Sequence, residues 1–123
     1  MRADPKLALS AVETESLRAI RSRISRLPPG DAALGVLGRA FFEVLARIGL
    51  TPSGEAAAQS PAAIASQAVD ADIDDLRRLL AGLRVILQGP PAAWRAALTA
   101  GAPQAVLTRR LVLAGRETPR DAA

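Results

Sequence analysis

Apolar residues recur every three or four positions along most of this chain, which is the spacing of one face of an α-helix. The strict alternation of a half-buried strand is not sustained anywhere, and Val, Ile and Thr are sparse. The pattern therefore predicts an all-α fold, a compact bundle of about five to six short and medium helices. The best-patterned segment carries apolar residues at Ile73, Leu76, Leu80, Leu83 and Leu87.

Capping signals give the ends of the predicted helices. Ser10 and Glu13 form the S-x-x-E capping box, which predicts a first helix from Ser10 to Leu27, stopped by the Pro-Pro-Gly that follows. Asp31, Ser60 and either Asp70 or Asp72 are expected to cap later helices. These signals predict further helices over Ala32–Ile48, Pro61–Ala68, Ile73–Leu87, Pro91–Ala100 and Pro103–Ala114.

The predicted helix Ala32–Ile48 is apolar on more than one face. A helix of this kind is typical of a position surrounded by other helices, so we expect it to form the hub of the core. Gly35 and Gly38 lie inside it, where a missing side chain would let a neighbouring helix approach closely.

The 123 residues are enough for one domain. We expect a disordered N-terminal arm over residues 1–9, a single helical domain over 10–115 and a frayed tail over 116–123.

Several function classes are disfavoured by the residues present. The chain has no Cys and no His, which removes disulfides, thiolate chemistry and the usual zinc ligands. Asp70, Asp72 and Asp74 alternate as in a calcium loop, but the sixth and twelfth positions hold Asp75 and Ala81 instead of Gly and Glu. The sequence therefore predicts no enzymatic activity, no cofactor and no metal site.

Two observations bear on location. The first sixteen residues lack the apolar run of a secretory signal. The most apolar stretch, Ala32 to Leu50, is interrupted by Arg39, Glu43 and Arg47, which would be costly in a bilayer. We therefore expect a soluble, cytoplasmic protein that does not associate with membranes.

The stretch from Ser60 to Leu83 reads as a short helix, an acidic turn and a longer helix, the layout of many helix-turn-helix DNA-binding units. The longer helix opens with Asp72, Asp74 and Asp75, whose carboxylates would repel phosphates, so packing is the favoured interpretation. A net charge of +4 is a mild hint of an anionic partner, and a small DNA-binding regulator stays as the alternative. Its candidate contacts are Arg77, Arg78, Arg84, Arg109 and Arg110.

The favoured function is a protein–protein interaction or adaptor protein, including self-association as a homo-oligomer, of the kind found among small bacterial or phage accessory proteins. Leu17, Ile20 and Ile24 form a narrow apolar seam on the first helix, and we expect a chain this small to leave it uncovered for a partner. Arg18 and Arg21 are the expected rim charges. No small-molecule substrate is indicated.

Overall fold

Six helices, and no strand, make up the part of the chain that the structure describes. The structure is a computed structural model that describes residues 7–26, 30–54 and 60–118. The predicted all-α fold is confirmed. The helices are α1 (Ala11–Ser25), α2 (Asp31–Arg47), α3 (Pro61–Ala68), α4 (Ile73–Gln88), α5 (Pro91–Ala100) and α6 (Ala102–Leu113).

Three helices begin at the predicted capping residues. In the capping box of α1, the Glu13 backbone N–H donates to Ser10 Oγ at 3.1 Å and the Ser10 N–H donates to Glu13 Oε1 at 2.9 Å. Ser60 caps α3 by accepting from the N–H of Ala63, and Asp72 caps α4 through Oδ1 at 2.8 Å from the N–H of Asp75.

Four of the six helices differ from the prediction at one or both ends, by one or two residues. Helix α1 ends at Ser25, because Arg26 already has a non-helical backbone, while the predicted end at Leu27 lies outside the described residues. Helix α2 begins at Asp31 itself, with Gly30 as the N-cap residue in an extended conformation. The prediction of Asp31 as a cap is therefore wrong by one position.

The longest unbroken run of buried residues lies in α4. Every residue from Leu79 to Leu83 is buried, including Ala81 and Gly82 on faces that an amphipathic helix would leave in water. Helices α3, α5 and α6 contact α4. The segment 50–54 also crosses it, where the Ser53 N–H donates to the carbonyl of Arg77 at 3.2 Å. Over this stretch α4 is therefore covered on every side, whereas α6, which contacts α1, α3, α4 and α5, is the most central helix.

Helix α2 lies at the edge of the fold, so its predicted role as the hub is wrong. It packs mainly against α1 and α5. The face that it turns to the core carries Leu34, Leu37, Phe41 and Leu45, all buried.

Gly38 provides the close approach predicted for α2. A Cβ at this position would lie 2.5 Å from Leu87 Cδ1 and 3.1 Å from Trp94 Cε2, so α2 contacts α4 and α5 at a point where only hydrogen fits. At Gly35 the nearest group is the guanidinium of Arg39 at 3.7 Å, on the same helix. The expectation is therefore confirmed for Gly38 and wrong for Gly35.

Both ends of the described chain pack onto α6 or its C-terminal turn. Leu9 is buried, and the carbonyls of Leu7 and Leu9 accept hydrogen bonds from the side chains of Arg110 and Arg116. The Arg116 N–H donates to the carbonyl of Leu111 at 2.9 Å and closes the end of α6. Residues 7–9 and 116–117 thus belong to the packed fold, although they fall in the predicted arm and tail. Residues 1–6 and 119–123 of that arm and tail lie outside the described residues.

The two glycines of α2 should respond in opposite ways to alanine. Gly35→Ala is expected to raise the free energy of unfolding by about 0.5–1 kcal/mol, because the helix gains propensity and the new methyl meets no packed neighbour. Gly38→Ala is expected to lower it, because Leu87 must move and the buried ring of Trp94 cannot withdraw. Urea denaturation measures both changes. An equal gain in the two variants would contradict the close packing at Gly38.

Candidate interaction surface

The apolar seam predicted as a partner site is buried in the chain's own core. Leu17 and Ile24 are 0% exposed and Ile20 is 2% exposed. Helices α2 and α6 both pack against α1 and cover this face. The expectation of an uncovered seam is therefore wrong, and these three side chains are not accessible to a partner in the folded chain.

The predicted rim charges Arg18 and Arg21 bind the segment that follows α6. Two nitrogens of Arg21 donate to the two carboxylate oxygens of Glu117 at 2.7 and 2.8 Å, and Arg21 also donates to Thr108 Oγ1 at 3.0 Å. Arg18 contacts Glu117 Oε2 at 3.3 Å and the carbonyl of Arg116 at 3.1 Å. These arginines join α1 to the C-terminal segment instead of forming an open rim.

This ion pair changes the acidity of both partners. Hydrogen bonds from Arg21, with a smaller contribution from Arg18, hold the pKa of Glu117 below its ordinary value. The same carboxylate raises the pKa of Arg21. Since the Arg21 and Glu117 side chains are only 26% and 22% exposed, the pair is partly shielded from water.

The helix–turn–helix layout exists, because α3 and α4 flank a short turn, but its arginines are engaged. Arg77 pairs with Asp74 at 3.3 Å, and Arg78 pairs with Asp75. Each pair spans one helical turn, and within each pair the aspartate offsets the positive charge of the arginine. The crossing segment also places Gly54 beside the Arg78 side chain.

Of the other arginines proposed for DNA, two bind backbone carbonyls. Arg109 Nε donates to the carbonyl of Ala71 at 2.7 Å, which ties α6 to the turn before α4. Arg110 is only 3% exposed and donates to the carbonyl of Leu7 at 2.8 Å, and its burial lowers its pKa. Arg84 is exposed and is the one member of the set with no hydrogen bond or ion pair within the described residues.

Metal binding and membrane insertion find no support in the described residues. They contain no group of three or more acidic, His or Cys side chains placed to hold a metal ion. None of the described helices is both long enough and apolar enough to cross a membrane.

The outer surface of α5 has a shallow depression lined by the side chains of one helix. Arg95 and Thr99 are its polar members, and the Thr99 hydroxyl donates to the carbonyl of Arg95 within the helix. The remaining lining residues are Ala92, Ala96 and Ala100. A surface formed by one helix does not enclose a small ligand.

A second apolar face of α2 remains accessible. Ala33 and Val36 are exposed, whereas Ala40 and Val44 are half-buried at the border of the core. The spacings of three, four and four residues place all four on one side of the helix. We call Ala33, Val36, Ala40 and Val44 the outer stripe.

Charged residues flank the outer stripe on its solvent side. Arg39 and Glu43 are both exposed, and Glu43 pairs with Arg47 at 2.6 Å along the same helix. An apolar strip next to charged groups is the usual anatomy of an interaction surface.

Sequence reasoning saw that α2 was apolar on more than one face but missed this surface. It interpreted the second face as buried, because a helix with two apolar faces is usually central. The charges at Arg39, Glu43 and Arg47 do not show whether this face is buried or exposed. Only the position of α2 at the edge of the fold decides it.

Removing the Glu117 carboxylate should weaken the contact between α1 and the segment that follows α6. Glu117→Gln is expected to lower the free energy of unfolding by about 1–2 kcal/mol near neutral pH, between the values of exposed and of buried charged pairs. Glu15→Gln is the control, because Glu15 is an exposed partner of Arg18 at 3.5 Å and should contribute much less.

The effect of Glu117 should depend on pH in one direction. Its folded pKa is lowered, so its contribution is complete above its ordinary pKa of 4.5 and is lost as pH falls through the lower folded value. The midpoint of thermal unfolding should therefore be higher for the wild type than for Glu117→Gln near neutral pH, and the two values should converge only in acid. A difference that is already absent at neutral pH would contradict the role assigned to the ion pair.

Comparison of the chain with protein-family models, with curated proteins and with solved structures found no match. No function is therefore carried over from another protein. The functional argument depends on the geometry of the described residues, in which the outer stripe of α2 is the best-formed accessible surface.

Proposed function

We propose that this chain is a non-enzymatic, cytoplasmic protein-interaction module that binds its partner through the outer stripe of α2. The observation that carries the proposal is the exposure of Val36, 51% of whose surface is accessible although it lies in a continuous apolar face. Apolar surface of this kind is stabilised when a partner removes it from water.

Val36 differs from the other exposed valines by its surroundings. Val12, Val69 and Val85 are also exposed. Val36 alone among these four has apolar residues on both sides along one helix face, with Ala33 one turn before it and Ala40 one turn after it. A helix face that presents apolar side chains at such intervals is the form in which helices dock onto protein partners.

The rigidity of α2 also supports the proposal. The adjoining face of the helix is anchored in the core by Leu34, Leu37, Phe41 and Leu45, so the outer stripe is held in a fixed orientation. A preorganised surface loses little conformational entropy when it binds.

The DNA-binding alternative has less support. Four of its five arginines already form ion pairs or hydrogen bonds within the fold, which leaves Arg84 as a single unengaged contact. Duplex binding depends on several phosphate contacts acting together. Arg77 and Arg78 also lie beside Asp74 and Asp75, whose carboxylates would repel a phosphate.

Val36→Asp should abolish partner binding without unfolding the chain. A carboxylate in the middle of the outer stripe would be buried without a partner charge, which should weaken binding by about tenfold or more. Val85→Asp is the matched control, because Val85 is 55% exposed and lies on α4. The readouts are the mass of complexes in solution and the proteins retained by the tagged chain, with circular dichroism as the test of folding. If the two variants behave alike, the outer stripe is not the binding surface.

A duplex titration tests the alternative function. Fluorescence anisotropy of a random duplex at about 0.05 and 0.2 M salt covers a range over which several phosphate contacts lose orders of magnitude in affinity. We expect no binding that falls steeply with salt. If steep binding is seen and the paired variant Arg77→Ala with Arg78→Ala flattens it, the DNA-binding function replaces the one proposed.

A further inference from the structure

We infer that the partner on the outer stripe is a second copy of this chain, with two α2 helices packed antiparallel about a two-fold axis at Ala40. This inference depends on the proposed function and names the occupant of the same surface. Two features of α2 support it, the spacing of the apolar side chains and the order of the flanking charges.

The apolar side chains are self-complementary about Ala40. Val36 lies four residues before Ala40 and Val44 lies four residues after it, so the three form one ridge along the helix. In an antiparallel pair centred on Ala40, Val36 of each copy therefore faces Val44 of the other. The small side chain on the axis lets the two backbones approach, and the valines pack on either side of it.

The flanking charges are complementary in the same arrangement. Arg39 and Glu43 lie on one flank of the outer stripe, and in an antiparallel pair each flank meets the same flank of the other copy. Arg39 of one copy then lies near Glu43 of the second copy, and the two-fold axis repeats this contact. In a parallel pair this flank would instead meet the opposite, core-side flank of the other copy, so only the antiparallel arrangement brings Arg39 and Glu43 together.

Glu43 is available for this contact. It pairs with Arg47 of its own helix, but the Glu43 and Arg47 side chains are 63% and 71% exposed, so this pair contributes little by itself. A carboxylate accepts more than one charged donor, and Glu43 can keep Arg47 while it accepts Arg39 of the second copy.

Charge reversal tests the arrangement. Sedimentation equilibrium of the full chain should show a dimer that dissociates on dilution. Arg39→Glu and Glu43→Arg should each raise its dissociation constant by about tenfold or more, because like charges then face each other. The double variant, with both reversals, should return to within about threefold of the wild type, because the opposite-sign contacts are re-formed across the axis. A wild type that stays monomeric, single variants without effect, or a double variant that is not restored would each overturn the inference.

A cysteine cross-link tests the position of the axis. Since the chain contains no cysteine, Ala40→Cys introduces a single thiol. A residue on a two-fold axis meets its own copy, so this variant should form a disulfide dimer readily under mild oxidation. Val85→Cys, at a more exposed position on another helix, is the control. Equal rates of dimer formation in the two variants would place the axis elsewhere.

The two levels of the proposal fail in different ways. If the chain is monomeric but Val36→Asp removes the binding of another protein, the inference of a homodimer is wrong and the proposed function stands. If Val36→Asp changes neither self-association nor partner binding, both are wrong.

Discussion

The enclosure of the middle of α4 is the constraint on which the arrangement of its neighbours depends. A helix buried on all sides from Leu79 to Leu83 needs cover in every direction, and this chain supplies it with three short helices and the non-helical segment 50–54. That segment is the continuation of α2. The helix that leads into it lies outside the centre, where its second apolar face is only partly covered.

Several arginines of this protein hold distant segments of the chain together instead of forming a charged surface. Arg109 and Arg110 bind backbone carbonyls of segments distant in sequence, and Arg21 holds Glu117. A guanidinium suits this task, because it presents several donors and remains charged even when partly buried. The excess of basic residues hints at an anionic partner when only composition is considered. Some of these residues are, however, engaged with carbonyl oxygens inside the fold.

Local signals in the sequence predicted most of the helices but not their arrangement. The caps at Ser10, Ser60 and Asp72 depend on residues within three positions, so they could be recognised directly. Which apolar face meets which neighbour depends on tertiary packing, and periodicity does not report it. For this reason the sequence predicts an exposed seam at Leu17 and a buried second face on α2. Both predictions are wrong, because neither could take the arrangement of the helices into account.

The position of the outer stripe also explains how such a surface can persist on a small domain. Stability of the chain does not require Val36 to be buried, because the adjoining core face of α2 already anchors the helix through Phe41 and its neighbours. Exposed apolar surface carries a risk of non-specific association, and charged residues beside it limit that risk by repelling misaligned partners. Arg39 and Glu43 of the two copies meet only in the antiparallel arrangement proposed above. In the proposed dimer the same two residues therefore select the register that the valines alone would leave open.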